Sequence, residues 1–251
     1  MPNAAPYTFD FFASHRAGAA ASAARLVPML LELVPAKSVV DVGCGTGTWL
    51  AEFARRGVAD VVGVDGAWVR LEQLEISEER FVRADLAAGV SLDRTFDLAI
   101  SLEVGEHLPE TSADGFVASL VRLAPVVVFS AAIPMQGGTG HVNEQWPGYW
   151  AERFARHGFV AIDCIRARVW GDPEIAWWYA QNTVVYAREE ALERHPRLRS
   201  ARGAASEPPP PLVHPGCLAA HVHAPIGLRR LIRELPGAIA GAARTRMRGH
   251  G

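Results

Sequence analysis

A short apolar run that enters a glycine-rich turn constrains this chain more than any other feature. The run Val39–Val42 is rich in β-branched residues, as buried strands are, and glycines follow at positions 43, 45 and 47. Glycine lets the backbone turn sharply and leaves room for a ligand to approach the main chain. A helical pattern begins at Thr48. The segment therefore predicts a strand, a turn and a helix that bind a ligand at the turn.

Two acidic residues accompany this turn. Asp41 directly precedes it, where a carboxylate can hold a cationic group, and Asp65 ends the next predicted strand, Val61–Val64. An acid at the tip of the second strand is placed to bind the hydroxyls of a ribose. The third glycine, Gly47, comes one residue earlier than the dinucleotide fingerprint requires, which favours an adenosine-containing ligand without a pyrophosphate.

The run from Asp41 to Gly47 resembles the first motif of the class I S-adenosylmethionine (SAM)-dependent methyltransferases. Three later segments resemble the motifs that follow it in that family, namely Phe81–Leu86, Phe96–Ser101 and Glu103–Leu108. The resemblance extends from Ser38 to Ala187. It implies that SAM is the cofactor and that a set of residues at the strand ends holds it. These are Asp41, Gly43, Cys44, Gly45, Asp65, Gly66, Asp85, Leu86, Leu102 and Glu103.

Alternating strand and helix patterns predict the fold. The predicted strands are Ser38–Val42, Val61–Val64, Arg80–Arg83, Phe96–Ser101, Val126–Ala131, Val160–Ala167 and Asn182–Ala187. The predicted helices are Phe11–Leu33, Thr48–Arg56, Ser112–Leu123 and Gln145–His157. This alternation favours an α/β fold, a doubly wound, Rossmann-like, mostly parallel seven-stranded sheet with helices on both faces. No helix pattern separates the last two strands, so the last strand is expected to be antiparallel, as in the methyltransferase family.

We expect three regions along the chain. Residues 1–37 would form a helical lid or cap, 38–190 the SAM-binding core, and 191–251 a linker with a helical tail. The aromatic segment Tyr7–Phe12 would fold over the cofactor or dock in a groove of the core. The run Glu207–Pro211 predicts a linker or a surface strap. Leu228–Ala243 predicts a terminal helix, whose arginines would form a solvated face or contact an acidic partner.

Composition narrows the classes of partner. A chain of 251 residues is long enough for one α/β domain, and its net charge of −2 gives no sign of attraction to nucleic acid. No signal peptide or membrane-spanning run is evident, so we expect a cytoplasmic protein without a membrane partner. The oligomeric state, monomer or homodimer, stays open. The three cysteines form no paired motif and are expected to be free thiols; they are Cys44, Cys164 and Cys217.

Two further segments supply candidates for contact with the acceptor. The loop from Ile133 to Trp146, through its parts Ile133–Thr139 and His141–Trp146, and the segment Trp177–Asn182 are similar to loops of bacterial methyltransferase-domain proteins from glycan and secondary-metabolite pathways. Both should reach the edge of the sheet where the parallel strands end. The candidates are Gln136, Asn143, Glu144, Trp146, Trp177, Trp178, Tyr179 and Gln181. The alternatives are structural, since Asn143 would be suited to capping the next helix and the tryptophans to packing.

A hydroxyl acceptor loses its proton during methyl transfer, and a base with a pKa near neutrality assists this loss. His107, after the fourth predicted strand, and His141, in the glycine-rich loop, are the candidates for this catalytic base. Glu103 and Glu106 are alternatives, and either histidine would also suit a structural role. Metal-ligating residue types are present, but they show no tight ligand spacing, so no metal is predicted. They are His107, His141, Glu144 and Asp172.

The sequence therefore favours a SAM-dependent methyltransferase that methylates an oxygen atom of a small polar molecule, such as a sugar or a secondary metabolite. Three rival functions remain. The first is methylation of nitrogen or of a carboxyl group. The second is another SAM reaction, such as an intramolecular cyclisation that releases methylthioadenosine. The third is binding of SAM without turnover. A nucleic-acid methyltransferase is disfavoured, because no N-P-P-Y-type motif follows the fourth strand.

Overall fold

The structure is a computed structural model that describes residues 9–203, 205 and 207–222, with only the backbone described for 9–16. The chain divides into two compact units, Met1–His214 and Pro215–Gly251. The predicted lid segment Tyr7–Phe12 and the predicted terminal helix Leu228–Ala243, with its arginines, lie outside the residues whose side chains are described.

Seven strands build one sheet in the first unit. They are β1 (Ser38–Val42), β2 (Asp60–Asp65), β3 (Phe81–Arg83), β4 (Leu98–Leu102), β5 (Val126–Ser130), β6 (Phe159–Ile162) and β7 (Val184–Arg188). Their order across the sheet is β3-β2-β1-β4-β5-β7-β6. Neighbours among β1 to β5 are parallel, and β7 is antiparallel to both β5 and β6. The prediction of an α/β fold with an antiparallel last strand is confirmed.

Helices connect the strands and cover the sheet. They are α1 (Phe9–Leu33), α2 (Thr48–Arg55), α3 (Ala113–Leu123), α4 (Pro147–Ala155), α5 (Arg166–Val169), α6 (Trp177–Asn182), α7 (Glu189–Arg194) and α8 (Pro196–Arg202). The expectation that no helix separates the last two strands is wrong, because α5 and α6 lie between β6 and β7. Elements of four and six residues are too short to show a helical period in the sequence. Strand β6 was also predicted too long, because the chain leaves the sheet at Ile162.

Both faces of the sheet are buried. Successive side chains of β1 point to opposite faces, so Val39 joins one core and Val40 the other. The core around Val39 includes Leu26 of α1 and Phe53 of α2, and the core around Val40 includes Phe116 of α3. A strand that is buried on both faces reads as a continuous apolar run, which is why β1 was recognisable from the sequence.

The proline-rich segment after α8 packs on the first unit. The Arg166 guanidinium, 1% exposed, donates to the Pro210 carbonyl oxygen at 3.0 Å and to the Gln181 carbonyl oxygen at 3.3 Å. Asp163 accepts two hydrogen bonds from the same guanidinium, at 2.9 and 2.5 Å. The His214 amide donates to Gln181 Oε1 at 2.8 Å. These contacts favour a surface strap over a linker as the interpretation of this segment.

In the second unit the structure describes one helix, α9 (Pro215–Val222). All three cysteines are buried free thiols, as expected. Within the described ranges no helix combines the length and the apolar character needed to cross a membrane.

Candidate active site

The edge of the sheet at which β1, β2 and β4 end gathers most of the predicted site. The glycine turn follows β1, Asp65 is the last residue of β2, and Glu103 follows β4. Because β7 runs in the opposite direction, its start reaches the same edge, preceded by Asn182. Residues from distant parts of the sequence therefore meet where α/β proteins bind their ligands.

Glycine is required in the turn on steric grounds. Gly43 and Gly47 have φ values of 90° and 83°, in the left-handed region that favours glycine. A Cβ atom on Gly43 would lie 2.3 Å from the Val104 side chain, and one on Gly47 would lie 3.0 Å from Ile76. The turn thus packs closely on both sides.

A carboxylate braces the turn from outside. Glu75 accepts hydrogen bonds from the hydroxyls of Thr48, at 2.5 Å, and Thr46, at 3.3 Å. The Glu75 amide donates to the Thr46 carbonyl oxygen at 2.8 Å. The turn is therefore held in one conformation by the segment that follows β2.

Two buried carboxyl groups lie beneath the turn. Asp65 accepts hydrogen bonds from the backbone amides of Gly45, at 2.7 Å, and Gly66, at 2.6 Å, and from the indole of Trp68. Burial raises the pKa of Asp65, although these hydrogen bonds lower it. Asp41 is 2% exposed. Its burial, and then repulsion from Asp65, raise the pKa of Asp41 well above its usual value. A cationic ligand would relieve both effects.

Glu103 is held by a polar network at the end of β4. Its φ is 56°, unusual for a residue with a side chain, and its amide donates to the Ser130 carbonyl oxygen at 3.0 Å. Its carboxylate accepts from Asn182 Nδ2 at 3.1 and 3.2 Å and from Gln136 Nε2 at 3.0 Å. Burial raises the pKa of Glu103, whereas these hydrogen bonds, led by that of Asn182, lower it.

The predicted substrate contacts Gln136 and Gln181 belong to this network. Gln136 Oε1 accepts hydrogen bonds from Gln181 Nε2, at 2.8 Å, and from Asn182 Nδ2, at 2.9 Å. Gln136 is 8% exposed and Gln181 is fully buried. Their amides hold Glu103 in place, and a direct contact with substrate stays a prediction for both.

The loop after β5 folds back onto the turn after β4. The amides of Val142 and Asn143 donate to the Glu106 carbonyl oxygen at 2.8 and 3.0 Å. This brings the imidazoles of His107 and His141 into edge-to-face contact, with ring centroids 4.9 Å apart. The two predicted catalytic histidines therefore lie side by side.

Each imidazole has a hydrogen-bond partner. His141 Nδ1 lies 2.8 Å from Glu144 Oε1, and Glu144 also accepts from the amides of Met135, at 2.8 Å, and Gly137, at 2.7 Å. His107 donates to the Gly140 carbonyl oxygen, which raises its pKa. Burial, and then the nearby His141, outweigh this and lower the pKa of His107 to about 4. His107 is therefore neutral at pH 7 and a weak base.

A third ionisable group, Glu106, faces the two histidines. It is completely buried, and neither carboxylate oxygen has an aligned hydrogen-bond partner, although the backbone amides of Glu106 and Ala132 lie nearby. Burial, followed by repulsion from Glu103, raises the pKa of Glu106 well above its usual value. One potential ligand atom from each of Glu106, His107 and His141 lies within 4.8 Å of the other two.

The remaining aromatic candidates differ in their surroundings. Tyr179 is 8% exposed, and its hydroxyl accepts hydrogen bonds from the indoles of Trp49 and Trp178. Trp177 and Trp178 are half-buried and in edge contact, with centroids 5.4 Å apart, and Trp178 packs against the core. Trp146 is 39% exposed. The structure thus supports the packing interpretation for Trp178.

Several predicted residues have other surroundings. The capping alternative for Asn143 is wrong, since α4 begins at Pro147 with no side-chain cap, and Asn143 Oδ1 accepts from Gln145 Nε2 at 3.0 Å. Asp172 is bound to Arg25 and does not join the histidines. At the end of β3, Asp85 is exposed and accepts from the Ala87 amide at 3.0 Å.

Three apolar or thiol positions of the predicted cofactor site are buried. They are Cys44, at 7% exposure, Leu86, at 3%, and Leu102, at 8%. Burial, followed by repulsion from Asp41 and Asp65, raises the pKa of the Cys44 thiol well above its usual value. Cys44 is therefore not an activated nucleophile.

Comparison with known families identifies the family to which this chain belongs. Residues 12–163 match the model of a family described as a methyltransferase domain. This match covers more than half of the chain, including the glycine turn and both histidines. The chain belongs to the methyltransferase-domain family. The resemblance seen in the motifs is confirmed, and SAM is the cofactor of this class of protein.

Curated relatives of this methyltransferase domain include O-methyltransferases. A ubiquinone biosynthesis O-methyltransferase from Neisseria meningitidis is 34% identical over 104 residues, 38% of this chain and 43% of the relative. A chloroplastic tocopherol O-methyltransferase from Arabidopsis thaliana is 34% identical over 96 residues, 35% of this chain and 27% of the relative. The chain therefore spans less than half the length of these relatives.

A solved structure shares the fold. The sugar N-methyltransferase KedS8 from Streptoalloteichus superposes with a TM-score of 0.59 at 18% identity, over 75% of this chain and 95% of that one. At this identity the likeness shows the fold of the methyltransferase domain and nothing more.

The described residues fit SAM. A glycine turn follows β1, and acidic residues stand at the ends of β1 and β2. Sequence reasoning missed Trp68, whose ring is 44% exposed and covers Gly66, where a Cβ atom would lie 2.2 Å from the indole. An aromatic residue three positions after Asp65 was the available signal. It also missed Glu75 and Ser130, because their roles depend on contacts with remote segments.

Proposed function

We propose that this methyltransferase-domain protein transfers the methyl group of SAM to an oxygen atom of a small polar acceptor, such as a sugar or a secondary metabolite. One observation carries the proposal. Three acidic side chains crowd the edge of the sheet, and within the described residues none is ion-paired with lysine or arginine. They are Asp41, Asp65 and Glu103. A cofactor with an ammonium and a sulfonium group supplies the missing positive charge.

The proposal assigns binding roles along the strand ends. Asp65 would accept hydrogen bonds from the ribose hydroxyls, and Asp41 would hold positive charge beneath the glycine turn. Trp68 would cover the nucleoside, and Asp85, at the end of β3, would accept from the adenine amino group. The Glu103 network would close the side of the pocket that faces the acceptor. The role of Asp85 is the one that the resemblance to the methyltransferase family implies.

When bound, SAM supplies an electrophilic methyl group, which passes to the attacking oxygen while the carbon–sulfur bond breaks and leaves S-adenosylhomocysteine. The acceptor proton must be removed as the new bond forms. His141 would take it, with Glu144 orienting its ring. His107, neutral at pH 7, packs against His141 and limits its movement. Both histidines lie in the segments that follow β4 and β5, beside Glu103.

Two features support an oxygen acceptor over a nitrogen acceptor. A hydroxyl needs a base for transfer, whereas a neutral amine attacks with its own lone pair, and the site offers a histidine–carboxylate pair. The curated relatives named above, both O-methyltransferases, point the same way.

The test is product analysis with the purified full chain. We expect SAM alone to stay intact, and S-adenosylhomocysteine to form when hydroxyl acceptors from a panel of sugars and phenols are added. Amines that carry no hydroxyl group serve as the comparison. Methylthioadenosine formed without an acceptor, faster than in a protein-free control, would identify a cyclase. S-adenosylhomocysteine formed only with amines would move the proposal to nitrogen.

A further inference from the structure

The side chains of Glu106, His107 and His141, here called the Glu-His-His cluster, have the composition of an open metal centre. One potential ligand atom from each lies within 4.8 Å of the others. An ion bound at about 2.0–2.2 Å from each ligand requires ligand atoms roughly 3–3.5 Å apart. Side-chain rotations that move the ligand atoms by about 1 Å would bring the three atoms to that spacing.

An independent observation points to a cation in this cluster. Glu106 is completely buried, and both of its carboxylate oxygens lack an aligned hydrogen-bond partner. A buried carboxyl group without such partners costs free energy, and native proteins rarely leave one unsatisfied. The side chain of Glu106 faces two imidazoles. Within the described residues, no arginine or lysine forms an ion pair with it. A divalent cation would satisfy both oxygens of Glu106.

The surroundings of the two imidazoles match those of metal-bound histidines. Histidine ligands typically donate the other ring N–H to a carboxylate or to a backbone carbonyl, which fixes the ring orientation. His141 has Glu144 as such a partner at 2.8 Å, and His107 has the Gly140 carbonyl oxygen. Gly138 keeps the space next to His141 Nε2 clear, since a Cβ atom there would lie 2.2 Å from that nitrogen.

We propose that Glu106, His107 and His141 bind one divalent transition-metal ion, with Zn²⁺ or Co²⁺ as representative members of the class. Two imidazoles and one carboxylate suit such ions better than Mg²⁺ or Ca²⁺, which prefer oxygen ligands. Three protein ligands leave coordination positions open. This revises the expectation from sequence spacing that there is no metal.

A metal ion at this position would also take part in the proposed methyl transfer, and this part of the inference rests on the proposed function. The cluster lies beside Glu103, where the acceptor oxygen would stand. A hydroxyl that binds an open position of the ion loses its proton more readily, since a metal ion lowers the pKa of a bound hydroxyl group. The ion would then take over from a free His141 base. The binding of the ion itself does not depend on methyl transfer.

The test uses the untagged full chain after dialysis against a chelator, titrated with Zn²⁺ alone by calorimetry and with Co²⁺ alone by visible absorption. We expect one ion per chain, with a Kd of about 1 µM or tighter, and d–d bands from Co²⁺. Glu106→Gln and His141→Asn should each weaken binding at least tenfold. His157→Asn is the matched control, because His157 is exposed at the turn before β6, and it should bind as the wild type does.

The outcomes separate this inference from the proposed function. No uptake of either ion, or unchanged uptake in both cluster variants, would overturn the metal site. Circular dichroism of the metal-free variants checks that they fold, and His107→Asn replaces any variant that does not. SAM binding to the chelator-treated chain is measured separately. SAM binding without ion uptake rejects only the metal, whereas ion uptake without SAM binding rejects only the methyltransferase proposal.

Discussion

The imidazoles of His107 and His141 meet edge to face, with centroids 4.9 Å apart, although they belong to loops that follow different strands. The contact exists because the backbone of the second loop is hydrogen-bonded to the Glu106 carbonyl oxygen at the end of β4. The same hydrogen bonds place a buried, unsatisfied carboxylate next to both rings. The chemistry of the acceptor side of the site therefore depends on how these two loops dock.

The first prediction concerns Asp41. Asp41→Asn removes a buried charge beneath the glycine turn, where we propose that SAM binds, so SAM affinity should fall roughly tenfold or more, about 1.4–3 kcal/mol, as expected for a charge-assisted hydrogen bond. The ligand-free protein should become more stable near neutral pH, because burial and Asp65 disfavour the charged form of Asp41. Calorimetry and thermal unfolding measure the two effects. Asp93→Asn, at an exposed position, should change neither quantity.

The second prediction is the pH dependence of cofactor binding. The raised pKa values of Asp41 and Asp65 mean that part of their charge is absent in the free protein at mildly acidic pH. SAM affinity should rise as pH increases from 5 towards 7 and these groups ionise, with proton release on binding, and the rise should be smaller in Asp41→Asn. Calorimetry in buffers of different ionisation enthalpy detects the released protons. Affinity that is flat or falls over this range would contradict the prediction.

The same groups set the sign of the pH effect on stability. The folded-state pKa of Asp41 lies above its unfolded value of 3.8. Its contribution to stability is therefore unaffected below that value and becomes increasingly unfavourable as pH rises through the folded-state pKa. In the ligand-free protein, the gain in Tm from Asp41→Asn should be larger at pH 8 than at pH 4, measured by thermal unfolding at both values. An equal gain at both would show that the substitution acts through packing instead.

The third prediction concerns the glycine turn. Gly43→Ala introduces a Cβ atom 2.3 Å from Val104 at a φ of 90°, so it should reduce the free energy of unfolding by about 2–4 kcal/mol, from strain and overpacking together. Gly57→Ala is the matched control. Its φ is 94°, but nothing lies within 4 Å of the added Cβ atom. It should cost about 1–2 kcal/mol from the backbone alone. Urea unfolding compares the two, and equal losses would refute the steric argument.

The fourth prediction concerns the strap. Arg166→Ala leaves the Asp163 carboxylate, whose side chain is 10% exposed, without its partner. The loss should be about 3–5 kcal/mol, as is typical when one member of a buried pair is removed. It should also expose the segment around Pro210 to proteolysis, because the guanidinium holds the Pro210 carbonyl oxygen. The exposed pair of Arg197 with Glu32 at 3.8 Å provides the control, and Arg197→Ala should cost less than about 1 kcal/mol.

Much of the cofactor side was predictable from local sequence. The bounds of β1 were predicted to the residue, and those of α2 to within one, because an apolar run, three glycines and a helical pattern follow each other without interruption. Asp41 and Asp65 were placed correctly at strand ends for the same reason. Helices α5 and α6 escaped prediction, since elements this short depend on tertiary contacts rather than on periodicity.

For the acceptor side of the site, the sequence predicted which types of residue are present but not how they are arranged. The loop after β5 was recognised as polar and glycine-rich, but its path depends on Glu144, which accepts from the amides of Met135 and Gly137 and from His141. No local sequence pattern predicts this combination of hydrogen bonds. Gln181, predicted as a substrate contact, is fully buried in the network that holds Glu103, and residue spacing did not indicate that network.

The sequence by itself determined the α/β sheet, the glycine turn and the acidic residues of the proposed cofactor site, because burial on both faces and the need for glycine impose patterns on neighbouring residues. The tertiary structure alone decided that Glu106, His107 and His141 form one cluster. Their proximity depends on hydrogen bonds between two loops that lie far apart in the chain, and residue spacing carries no information about such contacts.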